Sequence, residues 1–304
     1  MAEPTETVGV IGLGQMGGAL ATSLLRAGFT TCGFDISAER MELFTRAGGE
    51  GVDSPAAVGE RSGMVLLSLP SVAALDAVTN DRAGIHQVQR PGLIVIETST
   101  LPIDAKERAR DRLAAVGTVL LDCPVSGTAA QARQGDLMVF ASGEERAVQR
   151  CAPVFEAIGR SWRYLGAFGD GSRMKFVANL LIAVHNMAAG EALVLGAKAG
   201  LDPQLVHEVI SDSAATSRMF EISGKLMIQG QYEDASAKVQ ILHKDLQLIR
   251  DFATTVRAPT PLMAVTAEFY TSAMAVGMAA MEDASVAVLL QRLAGVELTQ
   301  RRDD

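Results

Sequence analysis

Four short stretches hold residue types whose spacing could do chemistry. In "GLGQMG", Gly12, Gly14 and Gly17 stand at G-x-G-x-x-G spacing. The first permits a sharp turn, the second lets a pyrophosphate reach the backbone, and the third lets a helix pack on a strand. Asp35 follows about 20 residues later at the end of the next apolar run, where a carboxylate accepts from ribose hydroxyls and repels a 2′-phosphate. The turn as a whole, Gly12, Leu13, Gly14, Gln15, Met16 and Gly17, with Asp35, predicts a dinucleotide, NAD by the acid; Arg40 nearby keeps NADP open as the alternative. In "DCPVSGTAAQA", Ser126, Gly127 and Thr128 put hydroxyls and flexible backbone N–H groups where an anion can use them. Lys175 and Asn179 in "GSRMKFVANLL" are four apart and share a helical face, and "ILHKDLQLIR" carries Lys244 beside Asp245. Taken alone, these last two patterns also describe solvated helix faces.

The elements that must position these residues follow from periodicity. From residue 7 to about 166, short β-rich runs alternate with helical patterns: "TVGVIGL", "TTCGFD", "GMVLLSLP", "LIVIETS", "TVLLDCPV" and "LMVFASG". That alternation predicts a mostly parallel, doubly wound sheet with helices on both faces. After Gly169 the pattern is helical to the end. A run from about Ser172 to Ala199 would form a helix of roughly 40 Å at 1.5 Å per residue, read as the spine joining two domains. We therefore expect an α/β dinucleotide-binding domain over 1–166 and an all-α substrate and oligomerisation domain over 167–304, with a frayed tail, "TQRRDD".

Composition narrows the partners. A formal net charge of −8, with no basic run, argues against nucleic acid and anionic membrane and leaves small molecules. Three scattered cysteines and four scattered histidines show no metal-type spacing and fit a reducing cytoplasm. "MAEPTET" lacks the basic and apolar regions of a secretory leader. The most apolar later runs contain His185, Asn186 and Glu191, or Glu268, and read as buried helices.

In their order and spacing, "GLGQMG", "ETSTLP" (97–102), "DCPVSGT" (122–128), "GSRMKFVANLL" (171–181) and "KDLQL" (244–248) resemble the β-hydroxyacid dehydrogenases of the 6-phosphogluconate dehydrogenase superfamily. That family includes 3-hydroxyisobutyrate dehydrogenase, tartronate semialdehyde reductase and L-threonate dehydrogenase. The resemblance implies an N-terminal Rossmann domain, a helical C-terminal domain, a cleft between them, and a homodimer or homotetramer. It implies Lys175 as the general acid/base for hydride transfer at a hydroxyl carbon, Asn179 as its orienting neighbour, and Ser126 with Gly127 as the cradle of the substrate carboxylate. Thr100 and Lys244 fall on positions lining the nicotinamide end, and Leu69 and Pro70 on the strand end that passes the adenosine.

The chain departs from the commoner family pattern at Thr128 and Gln131, where glycines are usual, and there it resembles the L-threonate branch. Polar side chains at the cradle predict a substrate with additional hydroxyls. The alternatives are a reductase of a semialdehyde acid such as tartronate semialdehyde, an imine reductase, and a catalytically silent nucleotide-binding homologue. Lys175 argues against the imine reductases, which lack a lysine there, and the intact Lys175, Asn179 and Ser126 argue against the silent homologue.

Overall fold

The computed structural model describes residues 7–233 and 235–299. Residues 1–6 and nearly all of the "TQRRDD" tail lie outside the described residues. The chain divides into two compact units, the first closing at Lys175 and the second opening at Phe176.

In the first unit, strands and helices alternate as Val8–Ile11 (β1), Gln15–Arg26 (α1), Thr31–Phe34 (β2), Ala38–Arg46 (α2), Glu50–Gly51 (β3), Pro55–Arg61 (α3), Met64–Leu67 (β4) and Val72–Asn80 (α4). They continue as Ile94–Glu97 (β5), Ile103–Ala114 (α5), Val119–Asp122 (β6), Val125–Ser126 (β7), Ala129–Arg133 (α6), Leu137–Ala141 (β8), Glu145–Arg150 (α7), Ala152–Ile158 (α8) and Gly159–Tyr164 (β9). The main sheet is six-stranded in the order β3-β2-β1-β4-β5-β6, with every pairing parallel. This is the doubly wound Rossmann order, whose strand order reverses beside β1.

Alternating side chains explain why its central strands β1 and β4 are apolar throughout. Met64 and Leu66 of β4 enter one buried cluster with Val10, Leu20 and Leu24. Val65 and Leu67 enter the other with Ile11, Leu75 and Leu113. Successive residues of a strand face opposite sides, so a sheet covered on both faces cannot afford a polar alternation. Serine caps then start the helices that cover it: the Ser37, Ser54 and Ser71 side chains accept from the first-turn N–H groups of α2, α3 and α4.

Two details differ from the sequence reading. The "LMVFASG" run does not extend the main sheet; it forms β8, the centre of a separate three-stranded sheet, β7-β8-β9. There β7 runs antiparallel and β9 parallel to it. The short β3 and the polar β9, "GRSWRY", give no apolar signature.

In the second unit every regular element is helical among the described residues. Asp170–Lys198 (α9) runs on from the first unit, followed by Pro203–Ser211 (α10), Arg218–Gln229 (α11), Val239–Thr255 (α12), Pro261–Ala275 (α13) and Val286–Ala294 (α14). Its core gathers Leu193, Phe220, Met227, Ala284, Ala287 and Leu298. Helix α9, of 29 residues, is long and apolar enough to cross a membrane by length and composition. Its interior polar side chain marks it as a core helix: Asn186, fully buried, donates to Asp283 Oδ1 at 2.9 Å and to the Tyr270 hydroxyl at 3.4 Å.

Candidate active site

The glycine turn lies between β1 and α1, and each glycine has its own reason. Gly12 has φ +86°, and a Cβ there would lie 2.2 Å from the Ser68 carbonyl oxygen. A Cβ on Gly17 would lie 1.8 Å from the Gly12 carbonyl oxygen. A Cβ on Gly14 would meet nothing within 4 Å, so its backbone borders open space. Gly14 is also the N-cap of α1, and no side chain caps that helix. Its first N–H groups, from Gln15 onward, stand at the positive end of the helix dipole, which suits a phosphate. Leu13 and Met16 serve the protein side: Leu13 is buried, and Met16 packs on the core.

Asp35 is tied to this turn. Its Oδ2 accepts from the Leu13 N–H at 2.6 Å and its Oδ1 from the Ser37 N–H at 2.8 Å. The carboxylate therefore braces the glycine turn, and each oxygen keeps a lone pair for a ribose hydroxyl. Leu69 follows β4 with its N–H donated to Ser99 Oγ at 2.8 Å, which joins it to the segment of Thr100; Pro70 beside it is exposed. An open, uncapped helix start, a glycine backbone facing space and an acid at the end of β2 fit a dinucleotide.

The anion cradle lies where β7 leads into α6. Ser126 is half-buried and pairs with Met138 of β8, and Gly127 has φ +132°. Thr128 is the N-cap of α6 and forms a capping box with Gln131. The Gln131 N–H donates to Thr128 Oγ1 at 3.3 Å, and the Thr128 N–H donates to Gln131 Oε1 at 2.9 Å. Gln131 Nε2 in turn donates to Asp136 at 3.3 Å. The expectation that both side chains await substrate hydroxyls is thus corrected for Gln131, whose amide oxygen and nitrogen both bond within the protein. Thr128 retains its hydroxyl proton as a donor.

Lys175, half-buried, and Asn179, buried, lie one turn apart on α9, as their spacing predicts. In the second unit Asn179 Nδ2 donates to Asp245 Oδ2 at 2.7 Å, and Asp245 Oδ1 pairs with Lys244 Nζ at 3.0 Å. Asp245 therefore fixes the Asn179 amide by its N–H end and links it to Lys244. The sequence shows both residues of this pair, but only the lysine is given a role there. The signal available was only that α12 turns a carboxylate inward, since Asp245 is buried while Lys244 stays partly exposed. Among the described residues no His, Cys, Asp and Glu cluster could hold a metal ion.

The chain is similar to known proteins over nearly its whole length. Residues 7–166 match the NAD-binding domain of 6-phosphogluconate dehydrogenase, and residues 169–290 match the NAD-binding domain of NADP-dependent 3-hydroxyisobutyrate dehydrogenase. An L-threonate dehydrogenase of Cupriavidus necator is 37% identical, the alignment covering 97% of this chain and 98% of that one. An L-threonate dehydrogenase of Escherichia coli K12 is 35% identical over 92% and 93%. The crystal structure of a 3-hydroxyisobutyrate dehydrogenase from Salmonella typhimurium superposes with a TM-score of 0.83 at 32% identity, covering 93% of this chain and 99% of that one. With a glycine turn that fits a dinucleotide and matches of this extent, the chain belongs to the β-hydroxyacid dehydrogenase family of NAD(P)-dependent oxidoreductases that act on the hydroxyl group of a hydroxy acid.

Proposed function

We propose that the protein is an NAD-dependent dehydrogenase of a small polyhydroxy carboxylic acid, with L-threonate as the expected substrate and Lys175 as the general acid/base. The observation that carries the reading is the Lys175–Asn179 pair on consecutive turns of α9, with the Asn179 amide held by Asp245. The relatives named L-threonate dehydrogenases support the substrate, and Asp35 at the end of β2 supports NAD over NADP.

Gln15, Met16 and Gly17 would present N–H groups to the pyrophosphate, Asp35 would hold the ribose, Leu69 and Pro70 would border the adenosine, and Thr100 and Lys244 the nicotinamide end. The nicotinamide, when bound, supplies the hydride acceptor or donor. The Ser126 hydroxyl and the Gly127 backbone hold the substrate carboxylate, and the Thr128 hydroxyl donates to a further hydroxyl. Neutral Lys175 removes the proton of the reacting hydroxyl during oxidation, and the same nitrogen as ammonium returns it during reduction. Asn179 orients the substrate through the amide atoms Asp245 leaves available.

The reading carries a dinucleotide-binding domain over 1–166 and a helical substrate domain over 167–304, a division supported by the two matched segments. It also carries a cytoplasmic homodimer or homotetramer without nucleic-acid or membrane partners. The net charge of −8 supports the absence of such partners, and the exposed apolar side chains Val177, Leu181 and Leu195 along α9 support association.

The test is NAD⁺ reduction against a panel of C3 to C6 hydroxy and sugar acids, with Lys175→Ala in parallel. L-Threonate is expected to exceed 3-hydroxyisobutyrate in kcat/KM, and Lys175→Ala to lose about 10² to 10⁴ in kcat with its NADH affinity intact. Equal or better turnover of 3-hydroxyisobutyrate would overturn the substrate. Retention of more than about a tenth of kcat by Lys175→Ala would overturn the acid/base role.

A further inference from the structure

A lysine buried in the first unit takes no direct part in the reaction outlined above, yet it is bonded to segments that carry much of the site. Lys106 of α5 is fully buried, as are Glu97 at the end of β5 and Asp122 at the end of β6. Its Nζ lies 2.5 Å from Glu97 Oε2 and 2.8 Å from Asp122 Oδ1, donates to the Ser99 carbonyl oxygen at 2.6 Å, and reaches Ser172 Oγ at 3.1 Å. Burial opposes its charge, but the Asp122 and Glu97 carboxylates outweigh that and hold its pKa above the ordinary lysine value.

The bonds continue outward from this centre. Ser99 donates its N–H to Glu97 Oε1 at 2.9 Å, and its hydroxyl accepts from the Leu69 N–H. Ser172, in the first turn of α9, gives both its N–H and its hydroxyl to Asp122, each at 2.8 Å. Gly171 donates to Ser142 Oγ, which donates to the Asp122 carbonyl oxygen. A Cβ on Gly171 would lie 2.6 Å from that same carbonyl oxygen, so the start of α9 is seated directly on the end of β6.

This is an unusual way to begin a helix. Helices α2, α3 and α4 are capped by the serine immediately before them, which satisfies the N–H groups without reference to the rest of the fold. Helix α9 takes its first-turn bonds from a strand-end carboxylate 50 residues away. Ionic groups in a core are weak contributors to stability, because desolvation opposes their attraction. What such a cluster does supply is fixed geometry, since every acceptor must be matched.

We propose that Lys106, with Glu97 and Asp122, is a positioning hub that sets Lys175 against the segments bearing Thr100 and Ser126. Ser172 is three residues before Lys175, Asp122 four before Ser126, and Ser99 next to Thr100. The three segments converge on one ammonium. The hub rests on the assignment of Lys175 as acid/base, and it acts through that residue and the two segments, without touching substrate.

Lys106→Met would strand two carboxylates in the core and is expected to unfold the unit, so the test is made at Ser172. Ser172→Ala removes one hydroxyl bond to Asp122 and the acceptor for Lys106, while the backbone N–H bond remains. It is expected to lower kcat by about 10-fold or more on the best acid of the panel, because small misplacements of a catalytic group are costly. KM and the dissociation constant for NADH are expected to stay within about threefold, with thermal unfolding little changed, as only positioning is lost. Ser172→Thr, which keeps the hydroxyl, is expected to restore kcat. Wild-type kcat in Ser172→Ala, or a loss that Ser172→Thr does not recover, would overturn the hub. Lys175→Ala separates the two claims: if it keeps its activity, the acid/base assignment fails and the hub falls with it; if it is inactive while Ser172→Ala is not impaired, the hub alone fails.

Discussion

Asp283→Asn should stabilise the second unit at alkaline pH and leave it unchanged in acid. Asp283 is buried beside Glu282, its Oδ1 accepting from Asn186 and its carbonyl oxygen from the Tyr270 hydroxyl. Burial, then the neighbouring Glu282 charge, raise its pKa from 3.8 to about 7. In the unfolded chain it titrates near 3.8, so between that value and about 7 the folded protein holds a proton that the unfolded chain has lost. Its contribution to stability is therefore fully present below pH 4, declines as pH rises through that window, and is gone above about 7. Three pH units at about 1.4 kcal/mol each correspond to a change on the order of 4 kcal/mol. An amide keeps an acceptor for Asn186 and never ionises. The variant should match the wild type at about pH 4 and below, draw ahead of it as pH rises from there, and exceed it by roughly 2 to 4 kcal/mol at pH 8. Glu282, also raised chiefly by burial, leaves some slope of the same sign in both proteins. The assay is urea unfolding at several pH values followed by far-ultraviolet circular dichroism, because the single tryptophan, Trp162, sits in β9 of the first unit and reports elsewhere. A difference between the two proteins that is constant from pH 5 to 8, or a variant weaker at pH 8, would refute the reasoning.

Two further outcomes concern specificity. Asp35→Ala should lower the NAD-to-NADP ratio of kcat/KM by about tenfold or more, mainly through KM for NAD, since repulsion of a 2′-phosphate disappears with the carboxylate; a wild type that prefers NADP would show that Arg40 or Ser37 governs the ribose. Thr128→Gly should cost only a few tenths of a kcal/mol at the helix cap and reduce discrimination between L-threonate and 3-hydroxyisobutyrate by about five- to tenfold, the worth of one hydrogen bond. An unchanged ratio in steady-state competition would mean that the Thr128 hydroxyl serves the cap alone.

The difference between what the residues announce and what they conceal is one of range. The glycine turn is legible because its requirements are local: a positive φ at Gly12, contact between Gly12 and Gly17, and open space at Gly14 all lie within six residues. The strands β1 and β4 are legible for the same reason, as burial on both faces removes polar residues from each run. Which strand a run joins is not local. "LMVFASG" is as apolar as its neighbours, yet it becomes β8 of the second sheet because the two residues of β7 turn the chain antiparallel before it. Lys106 is harder still: in "IDAKERARDR" it is one of several charges on a polar helix, and only the meeting of β5, β6 and the start of α9 buries it. Asp245 is concealed in the same way behind the lysine that precedes it.

Thr128 and Gln131 show the converse, a local pattern with two meanings. Threonine followed three residues later by glutamine is the sequence of a capping box as much as of a polar pocket wall. Here the box forms, with both reciprocal bonds made and the glutamine amide nitrogen donating to Asp136. A polar side chain argues for a polar ligand only after its neighbours in the chain have been considered as partners, because a buried donor needs one acceptor and is indifferent to its source. The glutamine amide is engaged at both ends within the fold, while the threonine hydroxyl accepts one bond and keeps its proton. Within the cradle that proton is what favours a further hydroxyl on the substrate.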